Sequence, residues 1–308
     1  MKEVMNPIER EKIKSELTEE KFLRHTNKGN NELYIVTHFD SPYVLKEIGR
    51  LREVTFRAAG GGTGKDIDID KMDYSENPYK QLIAWDPASE EIIGGYRFIV
   101  CDESAKPSDL ATYKMFNFSQ EFIDDYLPYT IELGRSFIQP IYQSSKAGRK
   151  TLYSLDNLWD GLGALVVKYP NHKYFFGKVT MYPHFNQKAR DLILHFLHKQ
   201  FISGYHLVSP KEPEGLKTDK EELEKVFTGS GYSQNHKLLS QEVRKLGENV
   251  PPLINAYMNL SKTMMVCGTS INESFGYVEE TGIILTIEDI YPNKVERHIE
   301  SYLNEINQ

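Results

Sequence analysis

Apolar and polar positions follow two rhythms along this 308-residue chain, one helical and one alternating. Residues 8–24 mix charge with Ile8, Ile13, Leu17 and Phe22, which predicts a short amphipathic helix packed on the domain behind it. A turn cluster, Asn27 to Asn31, leads to the strand-like run Glu32 to Thr37. Ser41 as N-cap and Pro42 at the first helical position open a helix to about Ala59. On it Leu45, Ile48, Arg52 and Phe56 recur at helical spacing, with Arg52 and Phe56 on one face. Tyr79 to Trp85 and Ile92 to Val100 predict a hairpin around the turn Asp86 to Glu90. A helix near 119–126 precedes a strand at 130–139. Leu152, Leu155, Trp159, Leu162 and Val166 then mark an amphipathic helix, Lys173 to Thr180 a buried strand and Asn186 to Phe201 a further helix. Residues 209–230, rich in Lys, Glu and Pro, predict an exposed connection or charged helix. Helices at 235–247 and from Pro251 to Leu260, a strand from Thr263 to Cys267, strand signals at Gly276 to Val278 and Gly282 to Ile287, and a helix near 293–304 complete the chain. Strands alternating with helices predict a mixed α/β sheet.

One strand breaks its own pattern. Thr130 to Gln139 reads as buried, yet carries Glu132, Gly134 and Arg135 among apolar residues. A buried charge costs several kcal/mol unless it is paired or used. Glycine within a strand marks a bulge or a close approach. Strict alternation would put Glu132 and Arg135 on opposite faces. If both line one site, the strand must bulge, and Gly134 is the expected place. Arg97 likewise sits inside an apolar strand.

Composition narrows the function. With 40% hydrophobic and 26% charged residues the chain is ordinary for a globular protein. A net charge of −7 argues against general nucleic-acid binding. The two cysteines, Cys101 and Cys267, lack ligand spacing, which excludes disulfide scaffolds and zinc modules. The N-terminus lacks an apolar signal core and no run approaches a membrane span, so the expected location is the cytosol.

Three motifs fall short of familiar sites. Ala59 to Asp66 lacks the first Gly and the final Ser or Thr of a nucleotide phosphate loop, leaving a flexible loop that exposes its backbone. Asp66 to Asp73 has Lys71 and Asn77 where a calcium loop needs Gly and Glu. These carboxylates could instead hold a cationic group such as an amine substrate, or form a solvated turn. Asp191, His195 and His198 share a helix face, but no other ligand cluster points at them and a packed face explains them, so no metal is expected.

The ordered set Arg52 and Phe56, Asp70 and Asp73, Gly95 to Arg97, and Glu132 to Arg135 resembles the acyl-homoserine-lactone synthases. It also resembles their relatives, the ornithine and glycine N-acyltransferases that begin amino-acid lipid synthesis and include hemolysin-like members. Asn27 to Glu32, Gly60 to Gly64, Leu155 to Gly163 and Phe176 to Tyr182 look like the Bacteroidota-type acyltransferases of that group. The resemblance implies an N-acetyltransferase-like (GNAT) α/β fold. An N-terminal helix (1–26) would precede one acyltransferase domain (27–308), with its core at 27–205 and a C-terminal extension with the last strands at 206–308.

The implied reaction moves a long acyl chain, with or without a 3-hydroxyl, to the amine of glycine or ornithine. No permanent cofactor is implied. The donor would be an acyl carrier protein thioester or acyl-CoA. The imperfect phosphate-loop signature, Gln143 to Gly148, favours the carrier protein. Glu132 would act as base, directly or through a water, or would hold Arg52 or Arg97 in place. The resemblance implies roles for Arg97 and Arg135 beside it, an acceptor network of Arg52, Phe56, Asp70 and Asp73, and a pantetheine-phosphate loop with Gln143, Lys146, Gly148, Arg149 and Lys150. Lys146, Arg149 and Lys150 would form the basic patch an acidic carrier needs, unless that loop is simply solvated. Trp159, Leu162, Phe175 and Phe176 would line an acyl tunnel or serve as core. The rival readings are an acetyl-CoA-dependent acetyltransferase and a catalytically silent lipid-binding protein touching the membrane peripherally through residues 8–24.

Overall fold

The computed structural model describes residues 1–143 and 149–307, with side chains described for all of these except 149–152. The described strands are β1 (Phe22–His25), β2 (Glu32–Val36), β3 (Lys80–Asp86), β4 (Glu91–Val100), β5 (Phe116–Phe118), β6 (Thr130–Ile138), β7 (Tyr174–Met181), β8 (Ile202–Ser203), β9 (Val208–Pro210), β10 (Met265–Asn272) and β11 (Val278–Thr286). Nine of them form one sheet in the order β1-β2-β3-β4-β6-β7-β11-β10-β8, while β5 pairs with β9. β6 runs parallel to β7, and β8 to β10; the other pairs are antiparallel. The sheet is mixed, as the alternation of elements predicts.

Helices cover both faces. The first set is α1 (Arg10–Glu16), α2 (Pro42–Ala58), α3 (Lys71–Tyr74), α4 (Pro140–Gln143) and α5 (Arg149–Lys168). The second is α6 (Gln187–Gln200), α7 (Lys220–Glu224), α8 (Tyr232–Lys245) and α9 (Pro252–Met258). On one face Leu158, Leu162 and Leu165 of α5 pack on Leu82, Phe98, Ile131 and Phe175, and α6, α8 and α9 cover Val179, Val266 and Ile283. On the other, Ile13 of α1 and Val44, Ile48 and Phe56 of α2 pack on Ile83, Trp85 and Phe137.

The helix expected over 8–24 is shorter. It ends at Glu16, Thr18 is extended, and Phe22 to His25 join the sheet as its edge strand. Cross-strand pairing with Tyr34 and Leu33 outweighs the helical pattern there. The two late strand signals are one strand, β11, running through Gly282. A Cβ at Gly282 would lie 3.1 Å from the Phe116 ring and 3.2 Å from Cys267, so this glycine marks close packing rather than a break.

Two irregularities open the sheet. The β6–β7 ladder covers only Thr130 to Glu132 against Tyr174 to Phe176. Beyond it β6 stays with β4 and β7 with β11, so the two strands part. Against β4, the register passes from Gly134 opposite Arg97 to Phe137 opposite Gly95, so Arg135 and Ser136 face the single residue Tyr96. This is a β-bulge. It lies one residue later than the glycine suggested, and Arg135 itself adopts a left-handed φ of 51°.

Candidate active site

The bulge gathers the anomalous charges on one face of the sheet. Glu132, Gly134, Arg135, Arg97 and Asp70 line one polar cavity of about 100 Å³, together with Lys178 of β7 and Thr112. Glu132 and Arg135 thus serve one cleft, through the bulge that this requires.

Asp70 and Asp73 cap α3 reciprocally: Asp70 accepts from the Met72 amide, and Asp73 from the Asp70 amide at 3.0 Å. The same carboxylates also bind arginine. Arg97 donates to both Asp70 oxygens (2.9 and 3.0 Å) and to Asp73 (3.1 Å). Arg52, fully buried on α2, reaches Asp73 at 3.4 Å. Arg135 places its Nε 2.9 Å from Asp68 and its guanidinium 4.0 Å over the Phe275 ring. The acidic run therefore holds cationic groups, and these are the chain's own arginines. Burial alone would raise the Asp70 carboxyl, but the charge and hydrogen bonds of Arg97, aided by Arg135, hold it well below the usual range. Burial likewise disfavours charge on Arg97, and Asp73 and Asp70 more than compensate.

Glu132 pairs with neither Arg52 nor Arg97 among the described residues, because the aspartates already hold both. Its Oε2 accepts from the Tyr79 hydroxyl and, at 2.8 Å, from the Ala111 amide. Its Oε1 accepts from the Thr112 amide at 3.1 Å and the Thr112 hydroxyl at 2.5 Å. The four acceptor positions of the carboxylate are filled. Burial, and next the Glu132 charge, push the Tyr79 phenol well above its ordinary value, so Tyr79 remains a donor.

Gly60 to Gly64 is a fastened loop rather than a flexible one. Glu53 of α2 accepts from the Thr63 amide and hydroxyl and from the Gly64 amide, at 2.7–3.0 Å. The turn after β10 packs on it. Gly276, at φ 82°, brings its Cα so close that an added Cβ would stand 3.0 Å from Gly61. That approach seats Phe275 edge-on against Phe56, 5.0 Å between centroids.

Behind the polar cavity, the gap between β6 and β7 holds a larger apolar one of about 370 Å³. Phe56 of α2 lines it from one face of the sheet, and Leu155 of α5 with Leu253 and Ile254 of α9 from the other. A smaller space of about 50 Å³, walled by Gly134, Arg135, Lys178 and Thr180, lies between them and shares wall residues with each. Phe56 belongs to this apolar wall rather than to the polar network. Trp159, Leu162 and Phe175 lie elsewhere, around a 20 Å³ gap beside His298, and Phe176 is core; the apolar passage uses other residues. Gln143 ends α4 and lines the apolar cavity. Lys146 and Gly148, and the side chains of Arg149 and Lys150, lie outside the described residues.

Sequence reasoning missed Tyr79, Thr112, Asp68, Lys178 and Glu280. Lys178 and Glu280 form a buried pair across β7 and β11. Burial and the neighbouring Arg135 charge push the Lys178 ammonium well below its ordinary value. Both are charges inside apolar strands, the same signal that singled out Glu132. On α6, Asp191 is committed to Arg190 and to the Lys217 and Thr218 amides, and His195 stacks on Phe227. No metal-holding cluster exists among the described residues, and no described helix is long and apolar enough to cross a membrane.

A protein-family model described as an acetyltransferase (GNAT) domain matches residues 51–152, which span the second half of α2, the aspartate network, the bulged strand and the start of α5. A glycine N(alpha)-acyltransferase of Phocaeicola vulgatus is 56% identical over 99% of this chain and 95% of its own. One of Bacteroides thetaiotaomicron is 54% identical over 98% of this chain and 91% of its own. No solved structure matches. A GNAT domain and this identity along nearly the whole chain place the protein in the family of these acyltransferases: it is a GNAT-type N-acyltransferase.

Proposed function

We propose that the protein transfers a long fatty acyl chain from a carrier-protein thioester to the amine of glycine. One observation carries this reading: between the apolar cavity in the sheet split and the polar cavity of Glu132 lies a smaller space, at Gly134, that shares wall residues with both. The acyl chain lies in the first, the amine in the second, and they meet at the bulge. Ser136 and Thr180 border the passage, where a 3-hydroxyl would find partners. Glycine is the acceptor named for both bacterial relatives, and a small polar cavity suits it. The carrier protein is favoured as donor because Lys146, Arg149 and Lys150 leave the segment after β6 basic in an otherwise acidic chain.

Chemically, an ammonium must lose a proton before it attacks. Because the acceptor positions of Glu132 are filled, the proton passes to the Thr112 oxygen as the Thr112 hydroxyl proton moves to Glu132. The amine nitrogen then bonds the thioester carbon. Backbone amides of β6 beyond Glu132, which lack a β7 partner, face the developing oxyanion. The C–S bond breaks, the departing thiolate takes the second proton from the nitrogen to leave the neutral amide, and the first proton leaves Glu132 through Thr112 to solvent.

Purified protein mixed with glycine and long-chain acyl thioesters, followed by mass spectrometry, tests this. N-acylglycine should form, faster from the carrier protein than from CoA. Absence of N-acylglycine from every donor overturns the reading, and preferential use of acetyl-CoA replaces it with an acetyltransferase.

A further inference from the structure

Arg135 stands apart from the other arginines of the site. Arg97 is held by three hydrogen bonds to carboxylates. Arg135 makes no aligned hydrogen bond among the described residues, and its Nε is buried without a hydrogen-bond partner even though Asp68 lies 2.9 Å away. A guanidinium carries five donors, and leaving them unmade in a largely buried position is unfavourable. The position is also strained, since a non-glycine residue at φ 51° is uncommon. Phe275 supports one face of the guanidinium and Asp68 faces its Nε; the outer edge, the one suited to bidentate binding, has no hydrogen bond among the described residues, and the side chain lines the cavity.

The cavity favours an anion. Its described walls carry five Lys or Arg side chains against two carboxylates; Arg97 is committed to Asp70 and Asp73 and Lys178 to Glu280, so Arg135, Lys71 and Lys114 supply the excess positive charge. Asp70 is taken up by Arg97 and Glu132 by its four donors. Lys178 borders both this cavity and the passage behind it.

We propose that Arg135 binds the carboxylate of the amino-acid acceptor and so turns its amine toward Glu132 and the thioester. This rests on the acyltransferase reading with glycine as acceptor, and adds the group by which that acceptor is recognised. It makes the enzyme selective for α-amino acids over plain amines. Asn272 and Ser274 close the far wall, leaving a space of about 100 Å³ for a small acceptor.

The test compares glycine with glycinamide, which keeps the amine and loses the charge. The wild-type enzyme should prefer glycine in kcat/KM by about ten- to a hundredfold, the range of a charge-assisted contact. In Arg135→Gln the preference should collapse, chiefly through a higher KM for glycine, so that the ratio of kcat/KM for glycine to that for glycinamide falls toward one. Equal use of glycine and glycinamide by the wild type overturns the proposal without touching the acyltransferase reading, and needs no variant to fold. A variant that loses kcat equally for both acceptors also overturns it, placing Arg135 on the thioester oxyanion instead. If wild-type enzyme acylates neither amine, the underlying functional reading has failed.

Discussion

Replacing Glu132 by Gln removes one charge from a carboxylate that is only 1% exposed and surrounded by donors. The amide keeps the shape but can accept at one end only. Whichever way it turns, its NH2 meets a backbone N–H, of Ala111 at one end or Thr112 at the other. The Tyr79 and Thr112 hydroxyls can rotate to accept; an N–H cannot. One buried donor is then unsatisfied, at about 1–3 kcal/mol, and the remaining bonds lose their charge assistance, for a total of about 2–5 kcal/mol. In a domain of this size that lowers Tm by roughly 4–20 °C. Calorimetry measures the stability, and acyl transfer assayed well below the variant's Tm measures chemistry separately. The relay through Thr112 requires activity to fall by about 10²–10⁴. A Tm within ~1 °C of wild type would refute the reading that these four donors anchor the segment before β5. Lost stability with unchanged turnover would leave Glu132 a purely structural group.

Gly134 is expected to matter for space rather than strain. Its φ is not left-handed, and an added Cβ would have 3.8 Å to its nearest neighbour, Arg97. Gly134→Val should keep Tm within a few degrees yet abolish transfer, because the side chain fills the junction of the two cavities; an active variant would disprove that route. Lys178→Met should destabilise by about 3–5 kcal/mol by stranding Glu280, whereas Lys178→Met with Glu280→Leu should recover most of that loss, and additive losses in denaturant titrations would show the pair is not coupled. Asp70 has its folded-state pKa depressed, so its stabilising contribution is in full above its unfolded value of about 3.9 and fades as pH falls from there toward the folded value. The stability gap between wild type and Asp70→Asn should therefore be constant from about pH 5 to 7 and narrow below about pH 4; a gap that widens on acidification would reverse the assigned sign.

Much of the site is legible in the sequence because charge inside an apolar strand demands a reason. Glu132, Arg97 and Arg135 stand out on that ground, and the alternation rule requires a bulge if Glu132 and Arg135 are to share one site. The partners are another matter. That Glu132 would meet Tyr79 and Thr112 rather than an arginine depends on where residues 107–115 fold back, a contact no local pattern encodes. The glycine loop looks free because its anchor, Glu53, lies ten residues upstream on α2. The acyl passage is invisible for a similar reason. Leu155, Leu253 and Phe56 come from three distant segments and meet only where β6 and β7 part. Trp159 and Phe175, more conspicuous in the sequence, pack into the core instead.

The most direct measurement is a crystal structure of the protein with bound N-acylglycine. The expected map shows the acyl chain between β6 and β7 beside Phe56 and Leu253, the new amide at Gly134, and the carboxylate on Arg135. A chain lying outside that split, or an amide far from Glu132, would contradict the assignment of this bulged strand as the place where thioester and amine meet.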